Sequence, residues 1–412
     1  MLLKLVNRNL IANAFNQILG VGFPIIIQYY LIRHLRLEDI GYWSIINSVK
    51  SLVMLSVTFF TIYLIKVLAE EENKKNESVY LTNTIVLTYI TMVIPIFFYL
   101  GYMLYEYKDL QQYVFISAIP ILTTPLGMDF YFQAKLKNDY LFYRKLAVRI
   151  IVLASLFLFV KTESDFIVYV WISSLSLSLE HLVNFYILRK RVIIKLIKGS
   201  VIKDIFNNAI GYLPFNITYN ALPAISIVLG AYFIDIKILA VITILLKVVN
   251  LVTTFVSSTV MVLFPLKVKA TVNQVKESFS EIKYLKNTIL FSLASIAFLI
   301  LFRKLIFYIF LDNYDMPNLD IVFVTLSFYI LIHSVYNYLV FNFYLINNKS
   351  IFISCLNLLI IFIFVIEIIT FKWLDINVNF ALLVIIPPLT ILFYLIYKLF
   401  SDNKIRINTN IN

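Results

Sequence analysis

Apolar runs of bilayer-crossing length recur from end to end of this chain, with few charges inside them. In hydrocarbon every backbone N–H and C=O needs an internal partner, so a spanning chain is either helical or a closed barrel. A barrel would alternate apolar and polar residues, and these runs do not. Composition agrees: 61% of the 412 residues are hydrophobic and 14% are charged, against about 25% charged in soluble domains. The same balance excludes a disordered chain. The expected fold class is an all-α polytopic membrane protein.

A crossing takes about 20 apolar residues. Twelve stretches qualify: 9–32, 41–65, 80–104, 112–134, 146–160, 166–188, 206–233, 239–263, 287–310, 321–345, 351–370 and 377–397. Lys4 and Arg8 precede a run of span length without a cleavage site, so no signal peptide is expected. An even number of spans puts both termini on one side. With the termini in the cytoplasm, cytoplasmic segments hold 24 of the 35 lysines and arginines and outside loops hold 6. That asymmetry sets the orientation. It also explains most of the net charge of +12 without nucleic acid as a partner. The basic cluster Arg189, Lys190, Arg191, Lys195, Lys198 and Lys203 reads as an inner-face anchor.

The outside loops are short and no soluble catalytic domain is visible. No Walker pattern is present, which excludes intrinsic ATP hydrolysis. The single cysteine, Cys355, excludes a disulfide framework or a cysteine metal cluster. Neither a cofactor nor enzymatic activity is expected.

The break at 189–205 divides an N-terminal six-helix lobe, 1–188, from a C-terminal lobe, 206–412. The lobes echo each other. Phe15, Asn16 and Gly20 in span one match Phe206, Asn207 and Gly211 in span seven. Spans two and eight each carry one deep lysine, Lys50 and Lys247. Two parallel repeats related by an axis along the membrane normal are a frequent transporter plan.

Polar residues at helical spacing mark a face turned from lipid. Span one has Asn13, Gln17, Gly20 and Gln28. Span two has Asn47, Lys50 and Ser51. Span seven has Asn208, Tyr212, Asn216 and Asn220. Span eight has Thr243, Lys247, Asn250 and Thr254. Packing seams are the alternative for stripes of Ser and Thr. A lysine at the bilayer centre costs roughly 2.5–3.5 kcal/mol, so Lys50 and Lys247 should face a wet cavity or a partner. The deepest charges are basic, which favours an anionic substrate. Glu180 with His181 is the candidate for ion coupling, with a structural ion pair as the alternative. Arg149, Arg303 and Lys304 are read as snorkelling, Asp129 as structural, and His333 with Asn337 as an interhelical contact.

Three segments resemble a known family. Tyr29-Tyr30-Leu31-Ile32-Arg33 with Leu35, Glu38, Ile40-Gly41 and Tyr42 is similar to that family's join between spans one and two. Phe130-Tyr131-Phe132-Gln133-Ala134, with Lys137 and Tyr140, is similar to its element after span four. Leu246-Lys247-Val248-Val249, then Phe255 and Phe264-Pro265, is similar to its span-eight pattern. The chain thus resembles a Wzx-type O-antigen or polysaccharide repeat-unit flippase of the multidrug/oligosaccharidyl-lipid/polysaccharide exporter superfamily. The resemblance implies two six-helix lobes around a central cationic cavity in a bacterial inner membrane. It implies a polyprenyl-pyrophosphate-linked oligosaccharide as substrate, and a polysaccharide polymerase and chain-length proteins as partners. One departure stands out: Ala224-Ile225-Ser226-Ile227 is uncharged where many relatives carry an acid–base pair. The competing functional readings are an O-antigen polymerase-like membrane enzyme and a small-molecule antiporter of the same fold.

Overall fold

The computed structural model describes residues 19–20, 22–70, 73–210, 223–272, 281–311 and 318–340, with scattered positions between 355 and 397; along the eighth span its side chains are described through 256. Every regular element among these residues is a helix. Contacts divide the chain into two units, Met1–Ile244 and Leu245–Asn412.

The first unit begins with α1 (Gly22–Ile32), α2 (Leu37–Val57), α3 (Thr61–Glu70), α4 (Lys74–Glu106) and α5 (Gln111–Thr123). It continues with α6 (Asp129–Ala134), α7 (Asn138–Phe159), α8 (Phe166–Leu188) and α9 (Gly199–Ala209), then α10 at 223–230. Helix α11 (Ile236–Val272) runs from the first unit into the second, which adds α12 (Glu281–Leu301), α13 (Arg303–Leu311) and α14 (Leu319–Leu339). Five helices of the described residues are long and apolar enough to cross a bilayer: Lys74–Glu106, Glu163–Arg191, Ile236–Val256, Tyr284–Leu301 and Leu319–Leu339. Spans eleven and twelve lie largely outside the described residues.

Two expected spans are interrupted. Span two breaks at Thr58, between α2 and α3. The Thr58 hydroxyl donates to the Met54 carbonyl (3.0 Å) and the Thr61 hydroxyl to the Thr58 carbonyl (2.7 Å). Hydroxyls that satisfy freed carbonyls make such a break tolerable in an apolar setting. Span four breaks after Thr123, where Pro125 sits in a short 3-10 turn and Met128 adopts a left-handed conformation (φ 45°). Proline supplies no N–H to continue the ladder. A Cβ on Gly127 would lie 3.0 Å from the His181 ring, so glycine lets α8 approach the turn.

Helix α7 starts at Asn138, eight residues ahead of the expected span at 146. Arg144 and Lys145, read from sequence as loop residues, are therefore helical.

Helix α4 carries exposed Ile94, Phe97 and Phe98, and α7 carries exposed Phe157, Leu158 and Phe159. Contiguous apolar surface of this extent on a soluble protein would drive association; here it suits lipid. The core of the first unit includes Phe59, Leu64, Leu81, Phe130 and Phe132, with Ile205 of α9. The segment after α8 is tied to α4 through its backbone. Ile193 N–H donates to the Thr82 hydroxyl (2.9 Å) and Lys198 N–H to Asn83 Oδ1 (2.7 Å). Asn83 Nδ2 donates to the Leu196 carbonyl (2.9 Å).

In the second unit α12 packs on α14. Arg303 meets Asp320 at 2.6 Å. His333 has Tyr329, one turn back on its own helix, at 3.1 Å, rather than only a neighbouring helix as the sequence suggested.

Candidate functional site

Lys50 lies on α2 and is 4% exposed. Its Nζ stands 5.3 Å from the centre of the Trp43 ring, two turns earlier on the same face. Trp43 is held in turn by an edge contact with Tyr169 of α8 at 5.7 Å. No carboxylate of the described residues forms an ion pair with Lys50. A buried ammonium over an indole face gains about 2 kcal/mol or more, which falls short of what losing its hydration costs. Among the described residues the Lys50 ammonium is therefore left without full compensation for its burial. Asn47, one turn before Lys50, is half-buried, and its carbonyl accepts from Ser51 (2.7 Å).

Lys247 and Asn250 stand one turn apart on α11, and both are half-buried. Thr243, a turn before Lys247, is buried and returns its hydroxyl to the Leu239 carbonyl (2.8 Å). Asn13, Gln17, Asn216 and Asn220 lie outside the described residues.

Glu180 and His181 border a partly open cavity of about 190 Å³. Arg144, with 3% of its side chain exposed, bridges two carboxylates. Its Nη1 donates to Asp129 Oδ1 at 2.8 Å and its Nη2 to Glu180 Oε2 at 3.0 Å. Asn184 Nδ2 donates to Asp129 and to the Gly127 carbonyl. The His181 Nδ1 and the Thr123 hydroxyl are 3.0 Å apart. Lys145 and Arg149 stand 3.9 Å from Asp129 and Glu180 respectively. Sequence reasoning found Glu180 and the structural role of Asp129, but not Arg144 as the bridge.

It also missed a second cluster. Glu77, near the start of α4, is 4% exposed. It takes Lys135 on one oxygen (2.6 Å) and Arg191 on the other (2.6 Å). Tyr131, from the motif after span four, donates to Glu77 at 3.3 Å and also contacts Arg191. The basic cluster that begins at Arg189 thus contributes a specific partner for a buried carboxylate as well as surface charge. Nothing in the local sequence at Glu77 signals this.

A third feature is a seam at the end of the first unit that the charge distribution assigns to the outside. Gly41 of α2 abuts Ile236 of α11 so closely that a Cβ would sit 2.5 Å from the Ile236 carbonyl oxygen. Lys237 pairs with Glu38 at 2.8 Å. The hydroxyls of Tyr102 and Tyr232 are 2.7 Å apart. Among the described residues no group of three His, Cys, Asp or Glu side chains is placed to hold a metal.

Solved structures share this arrangement of helices. An inward-facing multidrug resistance MATE family transporter of the MOP superfamily superposes with a TM-score of 0.65 at 10% identity, covering 96% of each chain. A eukaryotic MATE transporter gives 0.63 at 13% identity, over 96% of this chain and 95% of that one. An outward-facing MATE family transporter of the same superfamily gives 0.59 at 13%, over 98% and 96%. No curated protein sequence matches. At these identities the likeness shows the fold alone: this is a multi-pass membrane protein with a transporter fold. Residues 6–271 match the family described as "Polysaccharide biosynthesis protein". That match covers well over half of the sequence, and the chain belongs to the polysaccharide biosynthesis protein family.

Proposed function

We propose that this protein is a flippase. It carries a polyprenyl-pyrophosphate-linked oligosaccharide, an O-antigen or capsule repeat unit, from the inner to the outer leaflet of a bacterial inner membrane. The two lobes, 1–188 and 206–412 with the basic linker 189–205 between them, open alternately to either side, and both termini are cytoplasmic. Lys50 and Lys247 hold the anionic headgroup while Asn13, Gln17, Asn47, Asn216, Asn220 and Asn250 solvate sugars. The polyprenyl tail stays in lipid. No covalent step is involved.

The observation that carries this reading is Lys50, buried over Trp43 without a carboxylate partner among the described residues, in a chain of the polysaccharide biosynthesis family whose fold is that of the MATE transporters. Moving the charged headgroup through hydrocarbon unaided would strip its hydration at prohibitive cost. For ion coupling we put forward Glu180 and His181; protonating Glu180 would release one arm of Arg144.

The test is the double substitution Lys50→Ala and Lys247→Ala. Lipid-linked oligosaccharide should accumulate on the inner leaflet and surface polysaccharide should disappear. Normal surface polysaccharide from a normally inserted and abundant variant would refute the assignment.

A further inference from the structure

The cavity beside Glu180 has an unequal supply of donors and acceptors. Its two carboxylates are already engaged. Asp129 accepts from Arg144 (2.8 and 3.3 Å) and from Asn184. Glu180 accepts from Arg144 (3.0 Å). The cations are engaged more loosely, and Arg149 also stands over the Phe23 ring at 5.4 Å. Lys145 and Arg149 line the cavity, yet each stands 3.9 Å from its nearest carboxylate, beyond hydrogen-bond reach. Among the described residues neither donates a hydrogen bond. The Nε of Arg144 is buried without an acceptor. Among the described residues three cations face two carboxylates, which leaves one positive charge in excess. The volume of about 190 Å³ equals the share of roughly six waters in the liquid, which is room for one tetrahedral or planar anionic group. Leu19, Gly20 and Leu177 complete the lining, and among the described residues nothing stands within 4 Å of a Cβ at Gly20.

We propose that this cavity is an anion site that takes a phosphoryl or carboxylate group on Lys145 and Arg149. Asp129 and Glu180 act as counter-ions that hold Arg144 in place. Arginine suits this use because its planar fork presents paired donors to such groups. The shared chemistry has two sources, the pyrophosphate of the lipid carrier and an acidic sugar of the oligosaccharide. Naming either source rests on the flippase reading; the binding of an anion does not.

The experiment uses the full-length protein in nanodiscs, with inorganic pyrophosphate and glucuronate as separate probes, read by calorimetry and by thermal shift. At least one probe should bind and raise Tm. Lys145→Gln with Arg149→Gln should weaken that binding about tenfold or more, whereas the charge-preserving exchange Lys145→Arg with Arg149→Lys should retain most of it. Preference for pyrophosphate identifies the carrier headgroup, and preference for glucuronate identifies the acidic sugar. No binding by either probe, or equal binding in the double glutamine variant, overturns the proposal. Binding that is lost in that variant, combined with normal surface polysaccharide in cells lacking this protein, would keep the anion site and remove the flippase reading.

Discussion

If the protein alternates access as proposed, replacing Gly41 with alanine should favour the state in which α2 and the start of α11 have parted. The added Cβ would meet the Ile236 carbonyl oxygen at 2.5 Å, Cγ1 at 2.7 Å and Cδ1 at 3.0 Å. The two side-chain contacts can be relieved by a rotamer change, but the backbone oxygen cannot move without separating α2 from the start of α11. Overpacking of this kind costs about 1–3 kcal/mol. If the strain exists only while the seam is closed, the open population rises roughly 5- to 140-fold. The assay places a cysteine at Thr243, a buried position two turns below Ile236, in a Cys355→Ser background. A membrane-impermeant maleimide added from outside should label it slowly in the parent and much faster in the alanine variant. Trimming Ile236 to alanine should restore only part of the protection, because the backbone contact persists. Unchanged labelling in a normally inserted Gly41→Ala protein would refute the argument.

The same seam should respond to external acid. Hydrogen bonding from Lys237, then its own backbone, holds the Glu38 carboxyl below its ordinary value. A depressed carboxyl stabilises the closed contact above its unfolded pKa of roughly 4.3 and loses that contribution as pH falls through the lower folded value. Labelling at position 243 should therefore rise at strongly acidic external pH and be insensitive to acid in Glu38→Gln; identical acid responses would contradict this. Substituting Arg144 with methionine leaves Asp129 and Glu180 without their bridge, a loss of about 3–5 kcal/mol for a buried pair. Thermal unfolding of purified protein should show a large fall in Tm, with Arg144→Lys recovering little; a Tm equal to that of the parent would count against the bridge. If Glu180 couples transport to protons, Glu180→Gln should translocate at a rate indifferent to the proton gradient, and an intact gradient dependence would exclude that role.

The membrane class and the helical fold were legible from the residues alone, because each rests on a local rule. Hydropathy over a span-length window decides whether a segment leaves water, backbone satisfaction then makes it a helix, and helical spacing decides which side chains share a face. The span at 166–188 coincides with α8, Phe166–Leu188. The interruption at Pro125 and Gly127 also had a local cause.

Packing decided the rest. Arg144 looked like a loop cation because its carboxylates lie 15 and 36 residues away in sequence. Nothing near Glu77 in the sequence points to its partner, because Arg191 is 114 residues away. Gly41 carries its meaning only once Ile236 stands against it. A buried charge or a close backbone contact is a property of two segments, and neither segment encodes its partner. What this sequence specified by itself was which surfaces leave water and which retain polar groups. Which charges neutralise one another, and where a surplus of donors is left over, was settled by the tertiary structure.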